Sequence, residues 1–176
     1  MNKLIAVLFL VYCCAGFGLD QNIDVEKELE TAFIVQFTKY FEWNKLPNQV
    51  DFSILVLDDK ALFSGIKNLT QDVKVTGLPI RVEFSQISDL QNNANYQIIV
   101  LPKGRNKILE ESIIKLKRAN TLIITYGDGL AKFGSPVNFV RSQDRMKFEI
   151  NRSVLEELKV SARAQILRLG ILVKTE

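Results

Sequence analysis

A near-continuous apolar segment in the first third of the chain most constrains its fold. This segment, Phe52–Leu57, ends at two aspartates and is followed by a short helical pattern over Ala61–Leu69. A strand that is apolar on both faces is typical of a parallel sheet covered by helices, whereas a strand with one solvated face alternates apolar and polar residues. The segment therefore predicts a buried parallel strand in an α/β domain.

Further strands and helices alternate along the rest of the chain. The predicted helices cover about Val25–Trp43, Asn106–Arg118 and Ser161–Val173, and the predicted strands cover Ile80–Phe84, Gln97–Leu101, Thr121–Tyr126, Val137–Arg141 and Arg145–Ile150. The last two strands are separated by a short polar turn and form a hairpin. This order predicts a three-layer α/β sandwich with helices on both faces of a mixed, mainly parallel sheet that ends in an antiparallel hairpin.

Two local patterns near the end of the chain predict how its helices begin and pack. Ser153 and Glu156 have the spacing of a capping box, in which each side chain binds a backbone amide at the start of a helix. Ala164, Leu167 and Ile171 recur at helical spacing in the last predicted helix. They predict an inward apolar stripe on that helix.

The first residues have the pattern of a secretion signal. Met1–Lys3 is followed by the apolar run Leu4–Cys14 and then by small residues up to Gly18. This predicts a signal peptide over residues 1–18 and one α/β domain over residues 19–176. The run is shorter than the roughly 20 residues of a membrane-spanning helix. An uncleaved anchor and a lipid anchor on Cys13 or Cys14 both stay open.

Composition excludes most catalytic chemistry from the exported chain. The sequence has no histidine, and its two cysteines both lie in the predicted signal. Histidine and cysteine supply the usual general bases, nucleophiles and transition-metal ligands, so we expect no enzyme activity, metal or cofactor. A net charge of +3 over the whole chain is too weak to indicate nucleic acid as a partner. A disulfide-free exported domain favours the periplasm.

Four residues form a candidate ligand site. Asp58 and Asp59 follow the first buried strand, and Gly127 and Asp128 follow the strand predicted at Thr121–Tyr126. Ligands of open α/β sheets bind at the carboxyl ends of the strands, and glycine amides there can bind anions. The alternative is that the aspartates are solvated charges in a turn and that Gly127 only shapes another turn.

The aromatic residues of the first helix raise a second possibility. Phe33, Phe37 and Tyr40 recur at helical spacing and are expected to pack in the core. Phe41 and Trp43 lie about a turn away, near the end of the predicted helix. Either is therefore a candidate anchor in an exposed interface with a protein partner.

With this order of elements, the mature chain resembles the YfiR family of bacterial periplasmic proteins. The matching segments are Thr31–Trp43, Phe52–Leu57, Gly77–Val82, Lys147–Asn151, Leu158–Ser161 and Gln165–Leu169. The chain departs from the family in lacking the cysteines that commonly pair in its members. Any redox-dependent stability is therefore not expected to carry over.

The resemblance implies a non-catalytic periplasmic regulator. Such a protein binds the periplasmic part of an inner-membrane signalling protein, a diguanylate cyclase or a sensor kinase, and represses its output. The alternative is a periplasmic module that binds a small ligand near Asp58 and Gly127. The mature chain is not expected to span the membrane, and self-association into a homodimer stays open.

Overall fold

One mixed sheet with helices on both faces forms the body of the protein. The computed structural model describes residues 20–44, 49–89, 95–103, 106–117, 119–143 and 145–174, so the predicted signal peptide lies outside the described residues. The helices are α1 (Asp20–Tyr40), α2 (Lys60–Leu69), α3 (Asn106–Leu116), α4 (Arg152–Glu157) and α5 (Ala164–Leu169). The strands are β1 (Phe41–Trp43), β2 (Phe52–Leu57), β3 (Lys74–Val75), β4 (Leu78–Ser85), β5 (Ile98–Val100), β6 (Leu122–Tyr126), β7 (Val137–Ser142), β8 (Arg145–Asn151), β9 (Val160–Ala162) and β10 (Ile171–Val173).

The main sheet has the strand order β10-β8-β7-β6-β5-β2-β4-β3 in the described part of the chain. The pairs from β4 through β2, β5 and β6 to β7 are parallel, and β7 and β8 form the antiparallel hairpin. All six residues of β2 are buried, as the apolar run predicts. The predicted α/β class, with a mainly parallel sheet and a late hairpin, is confirmed.

The two faces of the sheet carry separate apolar clusters. On one face α1, α2, α4 and α5 contribute Ile34, Phe37, Leu62, Val154 and Ile166 to a cluster with alternate strand residues. On the other face Ile113 and Leu116 of α3 pack against the remaining strand residues. Because strand side chains alternate between faces, β2, β5 and β6 each supply both clusters.

The first helix ends three residues earlier than its amphipathic pattern predicts. It ends at Tyr40, and the next three residues form β1, which pairs antiparallel with β9. Arg163 donates a backbone hydrogen bond of 2.9 Å to the Tyr40 carbonyl and so extends the contact. The predicted helix end at Trp43 was wrong because a strand about 120 residues later competes for this aromatic segment, which is well suited to β structure.

The predicted last helix was also wrong, because the segment Ser161–Val173 contains parts of two strands around the six-residue α5. The helix stops at Gly170, and β10 then pairs in parallel with β8. A β-carbon on Gly170 would lie 2.8 Å from side-chain atoms of Phe148 and Ile150, so only glycine fits at this exit without displacement. The buried residue of α5 is Ile166, whereas Ala164 and Ile171 of the predicted stripe are exposed.

The cap of α4 differs from the predicted capping box. The Asn151 side chain accepts a hydrogen bond from the Val154 amide at 3.2 Å, and the helix begins at Arg152. Asn151 is completely buried and also donates to the Ala131 carbonyl at 2.7 Å. Asparagine is as good an N-cap as serine. The hydrogen bond from Asn151 to the Ala131 carbonyl therefore places the N-cap at Asn151, two residues before Ser153.

Candidate functional site

The four residues of the predicted ligand site lie at one edge of the sheet. Strands β2 and β6 run parallel on either side of β5, so their carboxyl ends meet at the same edge. Asp58 and Asp59 follow β2, and Gly127 and Asp128 follow β6. We call this region the carboxyl edge.

Asp59 joins two helices at the carboxyl edge. Its Oδ1 accepts the Leu62 amide at 2.9 Å and caps α2, while Oδ2 accepts a hydrogen bond from Lys27 of α1 at 2.6 Å. Burial opposes ionisation of Asp59, but the hydrogen bonds from Lys27 and from the Leu62 amide outweigh it and hold the pKa of Asp59 below its usual value. Asp59 is therefore not a solvated charge in a turn, which was the alternative to a ligand site.

Asp58 shapes the adjoining loop. Its backbone adopts a left-handed conformation with φ of 56°, and its amide donates to the Ser85 carbonyl at 3.0 Å. Its Oδ1 accepts the Ile87 amide at 3.2 Å. Aspartate tolerates this backbone region better than most residues do. Asp58 therefore ties the end of β2 to the chain that leaves β4.

Glu30 is the buried acid of the carboxyl edge. Its side chain is 0% exposed, and its two oxygens bind two lysines: Lys27 at 2.9 Å and Lys103, which follows β5. A buried charge is tolerated only when it is paired in this way. Lys103 also approaches Glu26 at 3.5 Å and lies 5.2 Å from the centre of the Tyr126 ring.

A cavity of about 260 Å³ opens beside this ionic network. Its lining includes Gly127 and Asp128 together with Tyr126, Lys103, Glu26 and Arg141. Arg141 forms an ion pair with Glu26, so both acids and bases face the cavity. The cavity combines an aromatic wall with charges of both signs, which is suited to a small zwitterionic or polar molecule.

Two details limit what the cavity can bind. The Gly127 amide donates to the Phe139 carbonyl at 3.1 Å, so this amide is not available to an anion as the sequence suggested. The Tyr126 hydroxyl is buried and has no hydrogen-bond partner among the described residues. Burial, with the nearby charges of Glu30 and Asp59, raises the pKa of Tyr126 well above its usual value, so the phenol stays neutral.

The ionic network contains residues that sequence reasoning missed. Lys27 and Glu30 have the i,i+3 spacing of a helical ion pair, which was a usable signal. Lys103, Tyr126 and Arg141 gave no such signal because they come together only through the sheet. Among the described residues, no group of three or more acidic, cysteine or histidine side chains is placed to hold a metal ion.

The two aromatic residues predicted as interface anchors have different environments. Phe41 is 2% exposed, and its ring packs edge-on against Phe37 at 5.5 Å, so the expectation that it forms an exposed anchor was wrong. Trp43 is half-buried. Its ring contacts Phe52 at 4.8 Å, and Nε1 donates to the Gln97 carbonyl at 3.1 Å.

Trp43 lines a second cavity, of about 460 Å³, at the opposite edge of the sheet. Its wall also contains Lys39, Lys74 and Arg163, and Arg163 forms an ion pair with Glu42 at 2.7 Å. This surface, which we call the Trp43 cleft, therefore combines an aromatic side chain with an excess of basic groups. Tryptophan and arginine are enriched at protein interfaces, so Trp43 and Arg163 make this cleft a candidate contact surface.

Comparison with known proteins identifies the family. A family model described as YfiR/HmsC-like matches residues 27–171, which include the Trp43 cleft, the lining of the carboxyl-edge cavity apart from Glu26, and nearly all described elements. A search of curated proteins returns no match. Within the described part of the chain, no helix is long and apolar enough to cross a membrane. The extent of the family match shows that the chain belongs to the YfiR/HmsC-like family.

Proposed function

We propose that this protein is a non-catalytic periplasmic regulator that binds the periplasmic part of an inner-membrane signalling protein and lowers its output. The observation that carries the proposal is the family match over residues 27–171, because the YfiR-like family is associated with regulation of cyclic di-GMP signalling. The partner is a diguanylate cyclase or a sensor kinase. The chain itself supplies no histidine or mature cysteine for catalysis.

The regulator acts by differential affinity. A protein without chemistry of its own shifts a two-state receptor only by binding one state more tightly, and about 1 to 3 kcal/mol of preference is typical of such coupling. The Trp43 cleft is the contact surface that we assign to this role. Its half-buried indole and the neighbouring Lys39 and Lys74 provide an apolar anchor with basic surroundings.

The cavity at the carboxyl edge supports a second candidate function. A small polar molecule bound beside Gly127, Asp128 and Tyr126 would contact Lys103. Lys103 follows β5 and forms an ion pair with Glu30 of α1. In this candidate the protein is a periplasmic ligand-binding module. The two functions are compatible if the ligand changes affinity for the membrane partner.

Gene deletion tests the leading function. Loss of the protein should raise cyclic di-GMP or kinase output, and a plasmid copy should restore repression. Trp43→Ala should fail to restore it, while Phe133→Ala, which removes an aromatic side chain that is 67% exposed in a different loop, should restore it fully. Both variants must be shown to be folded. Unchanged output in the deletion strain would refute the regulator and favour the ligand-binding module.

Trp43 also provides a direct signal for binding. It is the only tryptophan in the sequence, so the intrinsic indole fluorescence of the protein reports on the Trp43 cleft alone. Binding of the partner's periplasmic domain in this cleft should shift the emission maximum. A small molecule that binds only at the carboxyl edge should leave the emission maximum unchanged.

A further inference from the structure

The last strand of the sheet has an open edge. Within the described chain, β10 pairs only with β8, through Ile171–Val173 and Glu149–Asn151, and it ends the strand order on that side. The backbone groups on its outer edge therefore have no strand to bind among the described residues. Exposed edge strands are templates on which another extended chain can pair.

Apolar side chains cluster around this open edge. Leu169 is 69% exposed, Ile171 is 40% exposed and Leu172 is 51% exposed, and the three lie within four positions of the sequence. Because successive strand residues point to opposite faces, Ile171 and Leu172 expose apolar surface on both faces of this edge, beside Leu169 at the end of α5. We call Leu169–Val173 the β10 edge.

Basic side chains flank the β10 edge at both ends. Arg168 lies in the last turn of α5, and Lys174 directly follows β10. Lys147 lies on β8, two residues before the Glu149 that pairs with Ile171. All three are exposed, and none forms an ion pair with another described residue. Their charge is therefore available to an acidic partner.

We propose that the β10 edge binds an extended segment with acidic flanks, contributed by the periplasmic part of the membrane signalling partner, which adds to the sheet as a further strand. This proposal rests on the regulatory function proposed above and names a contact surface for it in addition to the Trp43 cleft. Strand addition satisfies the open backbone groups, and the exposed leucines and isoleucine contact alternate side chains of the added strand.

The charges favour such a partner over a second copy of this chain. If β10 paired antiparallel with the β10 of another copy, Lys174 of each copy would approach the segment containing Arg168 of the other. Arg168 lies on α5 beside the strand, and like charges that are brought close together repel each other. A segment with acidic flanks would instead place negative charges beside Arg168 and Lys174. Because β10 has only three residues, these ionic contacts form a substantial part of the binding, which should weaken as salt is raised.

Site-specific photocross-linking in the native periplasm tests the proposal. A photoreactive phenylalanine derivative is placed at Leu172, and a matched control is placed at Ile114, which is 75% exposed on α3 at the other face of the sheet. The Leu172 probe should cross-link to an inner-membrane protein that carries a cyclase or kinase domain. The Ile114 probe should not. Arg168→Glu combined with Lys174→Glu should reduce the Leu172 cross-link at least about fivefold.

Signalling output separates this proposal from the proposed function itself. Leu172→Asp and the double charge reversal should fail to repress in the deletion strain, while Ile114→Asp should repress normally. Circular dichroism and thermal unfolding establish that each variant is folded. If deletion raises output but the Leu172→Asp protein represses like wild type, the β10 edge proposal is wrong and the regulatory function stands. A cross-link from Leu172 to a second copy of the chain would likewise overturn the proposal.

Discussion

Lys27 on the first helix donates a hydrogen bond of 2.6 Å to one carboxylate oxygen of Asp59, whose other oxygen caps the second helix. This contact joins α1 to α2 above the carboxyl ends of the central strands. It also connects, through Lys27, to the completely buried Glu30. The stability of the carboxyl edge therefore depends on charges that sequence reasoning placed in solvent or did not consider.

The Lys27–Asp59 pair should give stability that is lost in acid. The pKa of Asp59 lies below its usual 3.8 in the folded protein, so its contribution is complete above pH 3.8 and disappears as pH falls through the lowered pKa. Asp59→Asn keeps an oxygen for the helix cap and should lower the free energy of unfolding by about 1 to 2 kcal/mol at pH 7. Urea unfolding of both proteins from pH 7 to pH 2.5 measures this difference, which should shrink in acid.

At alkaline pH the stability that Lys27 contributes changes with pH in the opposite direction. Burial opposes the charged form of Lys27, but hydrogen bonds to Asp59 and Glu30 outweigh it and raise its pKa above 10.5. The contribution of Lys27 is therefore complete below pH 10.5 and is lost as pH rises through the raised pKa.

Asp59→Ala is the control for the helix cap in the Asp59→Asn experiment. It should lower the free energy of unfolding by about 1 kcal/mol more than Asp59→Asn does, because alanine cannot cap α2. A difference between wild type and Asp59→Asn that stays constant across the acid range would contradict the ion pair.

Glu30→Gln should be destabilising. The change keeps the shape of a fully buried side chain but removes the negative charge that faces Lys27 and Lys103. Lys27 keeps its pair with Asp59 and Lys103 keeps Glu26, so no buried charge is left without a partner, and the free energy of unfolding should fall by about 1 to 2 kcal/mol. Glu28→Gln, at an exposed position of the same helix, should change it by less than about 0.5 kcal/mol. Equal unfolding midpoints for the two variants would show that the Glu30 network adds no stability.

Tyr126→Phe should leave the protein at least as stable as the wild type. The buried Tyr126 hydroxyl has no hydrogen-bond partner among the described residues, so removing it removes an unpaired polar group. Tyr96→Phe is the matched change, because the Tyr96 hydroxyl donates to Glu83 at 2.6 Å and its loss should lower stability by about 1 kcal/mol. Thermal unfolding of both variants is the measurement. A larger loss for Tyr126→Phe than for Tyr96→Phe would reveal a partner for the buried hydroxyl.

Ile166→Ala should identify the buried face of the last helix. Ile166 is 1% exposed and belongs to the larger apolar cluster, so its truncation should lower the free energy of unfolding by about 2 to 5 kcal/mol. Leu169→Ala, at the exposed end of the same helix, should have an effect below about 0.5 kcal/mol. Guanidinium unfolding distinguishes the two. Similar losses for both would show that the exposed leucine is packed in solution.

Apolar patterning along the chain specifies the central layers of this protein. The buried strand Phe52–Leu57, the alternation of strands and helices along the chain and the late hairpin all follow from apolar periodicity, because this periodicity depends on which faces of an element are buried. The meeting of Asp58 and Gly127 at one edge followed as well, since parallel strands bring their carboxyl ends together.

The short strands and the ionic partners depend on contacts between distant segments of the chain. Phe41–Trp43 and Ile171–Val173 are extended because the backbones of β9 and β8 lie beside them, and a three-residue strand has no stability without such a neighbour. Glu30 is paired with Lys103 although 73 positions separate them in the sequence. Local sequence patterns do not predict contacts of this kind, because these hydrogen bonds and ion pairs form only after folding has brought distant segments together.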